Sequence, residues 1–164
     1  MTTASINSTV KIRPATSADA AILGRFGTLL VALHHELDAA RFIATTTNTP
    51  QGYAHFLERE SNRADAVVLV AQEDNTVLGY AYAALEGADY MSLRGPAGVI
   101  HDLFVDPACR RKGVGRMLLD AVIAEMDRRG AERIVLSTAY GNEAARRLFA
   151  AVGFRPTMVE MTRG

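Results

Sequence analysis

Hydrophobic and polar residues follow one another along the first third of the chain in patterns that predict one strand and two helices. Residues 10–13 alternate and stop at a proline, as a short strand does. Thr16 and Asp19 have capping-box spacing ahead of a long amphipathic helix, AAILGRFGTLLVALHHEL. Residues 44–52 have the composition of a loop, and YAHFLERES after them predicts a second helix.

The rest of the chain predicts a hairpin and then strand–helix units. Apolar runs near 66–73 and 77–86 flank DNT, and a fourth strand, GVIHDLFV, follows a connector. A helix begins after Gly113, and the nearly all-apolar RIVLSTA after it is typical of a strand covered on both faces. Asn142 caps a last helix, and FRPTMVEMT predicts a final strand. The predicted order is β α α β β β α β α β.

Composition narrows the class of protein. A chain of 164 residues predicts one domain, over residues 10–164, after a flexible polar tail over residues 1–9. Eighteen basic and eighteen acidic residues cancel, which argues against general nucleic-acid binding. The chain has neither a membrane-length apolar run nor the apolar segment of a signal peptide. These features predict a soluble cytoplasmic protein.

The cysteine and histidine patterns predict no metal site and no disulfide. A single cysteine, Cys109, excludes an internal disulfide and a CxxC metal site. Basic neighbours favour a reactive thiol there, but nothing nearby has the character of its base. His34 and His35 are adjacent on a helix and point about 100° apart, so they do not share one ion.

A basic loop with two glycines, in ACRRKGVGRMLL, carries the strongest chemical signal. It does not match GxxxxGK[ST], and Leu118 stands where a dinucleotide fingerprint needs its third glycine. The pattern that remains is R-x-x-G-x-G, placed after a strand and at the start of a helix. Free backbone N–H groups and the helix dipole favour a phosphate group there. A basic helix start without a ligand is the alternative, at a cost of about 0.3–1 kcal/mol for each basic residue.

Two segments resemble motifs of the GCN5-related N-acetyltransferases, the GNAT family. LFVDPACRRKGVGRMLL resembles motif A, in which a strand, R/Q-x-x-G-x-G/A and a helix bind the pyrophosphate of acetyl-CoA. NEAARRLFAAVGF resembles motif B, at the expected distance along the chain. The resemblance implies an α+β fold of three layers, with a mixed central sheet of about six strands and helices on both faces. It also implies that strands four and five splay apart to admit the cofactor.

The resemblance implies which residues contact acetyl-CoA. Amides of the basic loop would cradle the pyrophosphate, the fourth strand would pair with the pantetheine arm, and the start of the last helix would lie near the thiol. The implied residues are Leu103, Phe104, Val105, Arg110, Arg111, Lys112, Gly113, Val114, Gly115, Arg116, Asn142 and Phe149.

Acetyl transfer to an amine requires a neutral amine, a stabilised oxyanion and a protonated leaving thiolate. His101 is the predicted base, although some relatives have glutamate at the matching position. Strict alternation would put His101 on one face of its strand and Asp102 on the other. Phe149 stands where many relatives have a tyrosine that protonates the thiolate. The proton donor would then be Tyr140 or water, or the thiolate would leave without an acid.

The resemblance places the acceptor pocket between the first two helices and the connector before the fourth strand. Glu36, Glu86 and Asp102 are the residues predicted to bind the substrate there. The predicted function is transfer of an acetyl group from acetyl-CoA to a primary amine of a small molecule, in a ternary complex. Acetylation of a protein amino terminus or lysine is one alternative, and a non-catalytic acyl-CoA sensor, which Phe149 favours, is another. Relatives often form homodimers, which predicts pairing through PTMVEM.

Overall fold

A five-stranded mixed sheet forms the centre of the computed structural model, which describes residues 9–110 and 112–164. The strands lie in chain order, with antiparallel neighbours except for the parallel last pair. They are β1 (Lys11–Pro14), β2 (Ala66–Glu73), β3 (Thr76–Glu86), β4 (Ala97–Val105) and β5 (Ile134–Leu136). The helices are α1 (Ala20–Leu37), α2 (Thr49–Ser61), α3 (Val114–Arg128) and α4 (Glu143–Ala151).

Each face of the sheet carries its own hydrophobic core. On one face, Leu23 and Phe26 of α1 and Leu57 of α2 pack against Tyr80 and Phe104. On the other, α3 presents a stripe of buried side chains to the sheet: Val114, Leu118, Leu119, Val122 and Met126. Alternate residues of β2 and β3 therefore enter different cores, which explains why both strands are apolar over their buried parts, residues 66–71 and 78–84.

Helix α2 begins at Thr49, so the predicted loop over residues 44–52 was too long. Pro50 occupies the first turn, where its missing N–H costs no helical hydrogen bond and its fixed φ suits the helix. The Thr49 hydroxyl accepts a hydrogen bond from the backbone N–H of Thr46 at 2.8 Å. Local chemistry at Pro50 therefore outweighs the loop-like composition of the segment.

The predicted final strand does not form, so the sheet built by the described residues has five strands and not six. In the part of the chain that the structure describes, residues 154–164 pair with no strand, and Met158, Val159 and Met161 are 74–89% exposed. Alternating residues form a strand only where a sheet edge satisfies their backbone groups. Here the segment is held instead by an ion pair between Arg41 and Glu160. Its predicted pairing in a homodimer stays a prediction.

The remaining predicted elements differ from the structure only at their ends. Thr16 and Asp19 form the predicted capping box ahead of α1, and Asn142 accepts the predicted capping hydrogen bond at α4. Strand β5 is shorter than RIVLSTA, with only three residues. None of the helices formed by the described residues has the length and apolar character to cross a membrane. The predicted tail over residues 1–9 falls almost entirely outside the described residues.

Close packing of α1 on α2 depends on glycine at position 27, because a Cβ there would overlap the ring of Tyr53. We expect Gly27→Ala to lower the free energy of unfolding by about 1–3 kcal/mol, the usual cost of overpacking. Gly52→Ala is the matched control, since a Cβ at this position in α2 meets no atom within 4 Å. It should raise stability by about 0.5–1 kcal/mol. Urea denaturation of both variants tests the packing, and equal effects would contradict it.

The C-terminal end of α3 predicts an acid-sensitive stabilisation. Hydrogen bonds from Arg128 and Arg129 lower the pKa of Glu125 to about 2. Because the folded-state pKa is depressed, this stabilisation is present above the ordinary carboxyl range and is lost as pH falls toward 2. Glu125→Gln should therefore be less stable than the original chain at pH 7, with a smaller difference at pH 3. Denaturation midpoints at both pH values measure this, and a constant difference would contradict it.

Candidate active site

Strands β4 and β5 separate after three residue pairs, and a cleft opens where they part. Gly98, Val99 and Ile100 pair with the three residues of β5, and the ladder ends there. Beyond Ile100 this edge of β4 borders a cleft of about 620 Å³. The splayed fourth and fifth strands are therefore confirmed. Beyond Ile100 this edge of β4 pairs with no strand among the described residues, and the Val105 carbonyl accepts a hydrogen bond from Arg110 at 3.4 Å.

A β-bulge in β4 sets the side-chain directions in the cleft. Asp102 lies opposite Tyr82 of β3 and Ile100 lies opposite Ala83, so His101 is the extra residue. The prediction that His101 and Asp102 point to opposite faces is wrong, because strict alternation fails at a bulge. Both side chains contact tyrosines of β3, on the face that α1 and α2 cover.

The imidazole of His101 is fixed by a ring and a carboxylate. It stacks on Tyr82 with 5.1 Å between ring centroids, and its Nε2 lies 2.6 Å from Oε1 of Glu86. Arg94 also donates to Glu86, at 3.4 Å. Since a carboxylate only accepts, Nε2 carries the hydrogen and Nδ1 is the acceptor of the neutral ring. Glu86, which the sequence assigned to the substrate, therefore binds His101 and is not part of the cleft wall.

Tyr82, the residue on which His101 stacks, is itself held by the buried carboxylate of Glu60. The Tyr82 hydroxyl donates to Glu60 at 2.7 Å, and Arg63 donates to the same carboxylate at 2.6 Å. Burial, and then the hydrogen bond to Glu60, raises the pKa of Tyr82, so its hydroxyl stays a donor. The side chain of Glu60 is only 5% exposed, and these partners compensate for its burial.

Asp102 lies in the cleft wall and accepts two hydroxyl hydrogen bonds. Tyr53 of α2 and Tyr80 of β3 donate to its Oδ2 at 2.7 and 2.8 Å. Burial, and after it the charge of Asp102, raises the pKa of both tyrosines. No side chain among the described residues donates to Oδ1. That oxygen can therefore accept a hydrogen bond from a ligand, and its partner oxygen fixes the direction of the carboxylate.

The start of α3 forms the opposite end of the cleft. Gly113 precedes the helix with φ of +76°, a left-handed conformation that favours glycine. A Cβ on Gly115 would lie 3.5 Å from Leu148 and 3.6 Å from Val105, so the wall here is already close. Arg110 and Arg116 also line this end. Lys112 lies outside the lining, 4.0 Å from Glu73, and Arg111 lies outside the described residues.

The structure brings most of the other predicted cofactor residues to the same cleft. Leu103, Phe104 and Val105 line it from β4. Val114, Asn142 and Phe149 line it from the two helices on the α3 face, and the Asn142 side chain accepts from the Ala145 N–H at 3.2 Å.

Tyr140 and Glu36 are not brought to the cleft. Tyr140 is 84% exposed, and its ring carries the guanidinium of Arg146 at 4.8 Å. Glu36 is exposed on α1 and does not line the cleft. A proton donor at Tyr140 or a substrate carboxylate at Glu36 therefore has no support from the geometry.

Six of the residues that line the α1 and α2 side of the cleft were not among those predicted to bind the substrate. We call them the acceptor wall: Leu30, Leu33, His34, Phe42, Ile43 and Tyr53. The i, i+3, i+4 spacing of the first three is a helical signal that identifies one face of α1. The two residues after α1 carry no such signal, because their place depends on tertiary packing.

The His34 ring is held within this wall. Its Nδ1 lies 2.8 Å from the carbonyl of Leu30, and its ring packs edge-on against Phe42 with 5.0 Å between centroids. Because a carbonyl only accepts, Nε2 is the acceptor of the neutral ring. No group of three or more metal-ligating side chains occurs in the described ranges 9–110 and 112–164.

One cleft therefore joins an open strand edge and a glycine-started helix to a histidine and a carboxylate at its other end. The sequence profile of the acetyltransferase (GNAT) family matches residues 30–154. The chain therefore belongs to the GNAT family of acetyltransferases, whose members are acyl-CoA-dependent N-acetyltransferases.

Similarity in sequence and similarity in structure both agree with this assignment. The chain is 37% identical over 129 residues to a mycothiol acetyltransferase of Clavibacter michiganensis, a match that covers 71% of this chain and 40% of that protein. The crystal structure of a BH1408 protein variant from Bacillus halodurans has a TM-score of 0.80 at 21% identity, over 94% of this chain and 98% of that one. The aminoglycoside N-acetyltransferase AAC(6')-Iy in complex with CoA has a TM-score of 0.72 at 18% identity, over 98% and 97%. The two structures share the fold.

Proposed function

We propose that this chain transfers the acetyl group of acetyl-CoA to a primary amine of a small molecule while both substrates are bound. The observation that carries the proposal is the separation of β4 from β5 directly beside the glycine-started helix α3. An extended, amide-containing ligand with a diphosphate matches this arrangement. The strand edge supplies backbone partners, and the helix start supplies N–H groups and a positive dipole.

The residues around the cleft fit acetyl-CoA in shape and charge. Gly113 and Gly115 leave the backbone accessible to a diphosphate, and Arg110 and Arg116 add positive charge at the same end. The wall between this end and His101 is formed largely by apolar side chains, such as Leu103. When bound, acetyl-CoA supplies an acetyl group activated as a thioester. The binding set comprises Leu103, Phe104, Val105, Arg110, Gly113, Val114, Gly115, Arg116, Asn142 and Phe149.

His101 acts as the base that neutralises the amine. Its Nδ1 is the acceptor, and Glu86 holds the ring from the opposite nitrogen. Asp102 attracts the cationic amine and orients it, while the backbone N–H of Leu103, on the open edge of β4, donates to the oxygen that becomes negative during attack. Direct transfer needs no covalent intermediate on the enzyme.

The leaving thiolate takes its proton from water. Phe149 lines the cleft but has no acidic proton, and Tyr140 lies outside the cleft. A thiol is acidic enough, with a cysteine-like pKa of about 8.5, that departure without a side-chain acid costs little. A sensor that binds acyl-CoA without turnover is the second candidate, and Phe149 is the observation that favours it.

Thiol release from acetyl-CoA, measured against a panel of primary amines, tests the proposed function. Release that depends on the amine, with one acetylated product for each thiol, supports it. Calorimetric binding of acetyl-CoA without release, for amines and peptides alike, would favour the sensor. Release only with peptides would indicate a protein acceptor instead.

The cofactor half of the cleft predicts the effect of a charge at position 113. Gly113→Asp should abolish binding of CoA, because it places a carboxylate and a side chain at the expected diphosphate site. Gly130→Asp is the matched control, since Gly130 has a similar φ of +84° and is not part of the cleft wall. Both substitutions introduce a similar backbone strain, of about 1–2 kcal/mol, because an L side chain is disfavoured at positive φ. Isothermal titration with CoA separates them, and equal affinity in the two folded variants would refute the loop assignment.

The base assignment predicts that His101→Gln lowers kcat by about 100-fold, the usual contribution of general-base catalysis. CoA affinity should stay unchanged, because His101 is assigned to the acceptor side of the reaction. Glu86→Gln should have a smaller effect of the same kind, since Glu86 positions the ring and does not touch the substrate. The rise of kcat/KM with pH should flatten in His101→Gln. An unaltered pH profile would assign the base elsewhere, with His34 as the next residue to test.

A further inference from the structure

The acceptor wall is apolar apart from one imidazole. Leu30 and Leu33 line it from α1, Phe42 and Ile43 follow α1, and Tyr53 comes from α2. The Tyr53 hydroxyl is already engaged by Asp102, so this residue contributes its ring. Ile43 is 78% exposed although it lines the cleft. Because burial of exposed apolar surface is favourable, a ligand that covers this side chain is bound more tightly.

Few charged residues line the cleft, and the acidic residue lies apart from the two basic ones. Of the described residues in the lining, Asp102 is the only acid, and Arg110 and Arg116 are the only arginines or lysines. Both arginines lie at the glycine end of the cleft, where Arg116 is also held by Asp120 at 3.0 Å. Glu86 lies outside the lining and is hydrogen-bonded by His101 and Arg94. The acceptor wall and Asp102 together therefore present one negative charge and no permanent positive charge.

From these observations we infer that the acceptor is a primary amine with a single positive charge, an apolar or aromatic body and no carboxylate beside the amine. This inference rests on the proposed function and specifies its substrate class. The ammonium binds at Asp102, whose Oδ1 has acceptor capacity left, and the apolar body covers Ile43 and Phe42. An arylalkylamine is the simplest compound with all of these properties.

Two other kinds of amine do not match the cleft. An α-amino acid would bring its carboxylate close to Asp102, with no arginine or lysine of the described lining beside it to compensate the charge. A diamine or an aminoglycoside would place further ammonium groups against leucine, phenylalanine and isoleucine side chains. Removing such charges from water without a partner is costly.

The proposed reaction balances in atoms and charge. The alkylammonium and acetyl-CoA give the N-alkylacetamide, CoA thiol and one proton. A new bond forms between the amine nitrogen and the acetyl carbon, and the bond between that carbon and sulfur breaks. The nitrogen loses two protons in all, of which His101 takes the first. The thiolate takes up one proton, and the other is released to solvent.

A series of matched amines tests the inference through thiol release at a fixed acetyl-CoA concentration. We expect 2-phenylethylamine to be the best substrate of the series. L-phenylalanine, which adds a carboxylate, should have a kcat/KM about 100-fold lower, since the carboxylate meets Asp102. L-phenylalaninamide adds similar bulk without the charge and should lose about tenfold at most. A loss of about 100-fold is also expected for 1,4-diaminobutane, which has no ring and carries a second charge at the far end of its alkyl chain.

A pair of exposed residues provides the test on the protein side. Ile43→Ser should raise the KM for 2-phenylethylamine about tenfold, as expected for loss of an apolar contact, and leave the KM for acetyl-CoA unchanged. Met158→Ser is the matched control, because Met158 is 74% exposed and does not line the cleft. Neither change removes a buried contact, so both variants should fold, and thermal melts verify this.

The outcomes separate the inference from the proposed function. A kcat/KM for L-phenylalanine or 1,4-diaminobutane equal to or above that for 2-phenylethylamine overturns the inference and leaves the transferase assignment intact. A tenfold preference for a peptide amino terminus over 2-phenylethylamine also overturns the inference. So does a KM for 2-phenylethylamine that is unchanged in Ile43→Ser. No thiol release with any amine, in a protein that binds acetyl-CoA, refutes the proposed function and the inference with it.

Discussion

The site depends on where β5 stops pairing with β4. Only three residue pairs join the two strands, and the last of them includes Ile100. The next residue, His101, is the extra residue of the β-bulge against β3. A bulge bends its strand and increases the local twist. The bend and the end of the ladder therefore coincide, which gives a physical reason for the strands to diverge at this point.

The same bulge places two functional side chains on one side of the sheet. In a regular strand, His101 and Asp102 would point into different layers. Here both contact a layer of tyrosines from β3 and α2, and two buried or partly buried carboxylates receive the tyrosine hydroxyls. Because the pKa values of Tyr53, Tyr80 and Tyr82 are raised, these hydroxyls stay protonated and keep donating. The chemistry proposed for His101 and Asp102 thus depends on a fixed polar layer within an otherwise apolar core.

Sequence patterns predicted the elements well wherever local signals decide the structure. The capping box at Thr16 and the apolar runs of β2 and β3 were found within a residue or so. The glycine start of α3 was found for the same reason, since its chemistry lies within a few consecutive residues. The bulge at His101 was missed because an alternating pattern does not record which residue lacks a partner on the next strand. The final strand was overpredicted, because alternation says nothing about whether a sheet edge is within reach.

One half of the cleft is built mainly from backbone groups, and the other half from side chains. The half that we assign to the cofactor uses backbone: a strand edge, the N–H groups of a helix start and two glycines, which leave the backbone uncovered by a side chain. Such a half can be encoded by a short motif. The acceptor half uses side chains of α1, α2 and the segment between them, which are far apart in sequence and meet only in the folded chain. We therefore expect substitutions there, as at the exposed Ile43, to change the acceptor preference without disturbing the glycine end of the cleft. For this reason the sequence motif identifies the acyl donor, whereas the acceptor has to be inferred from the charge and polarity of the folded wall.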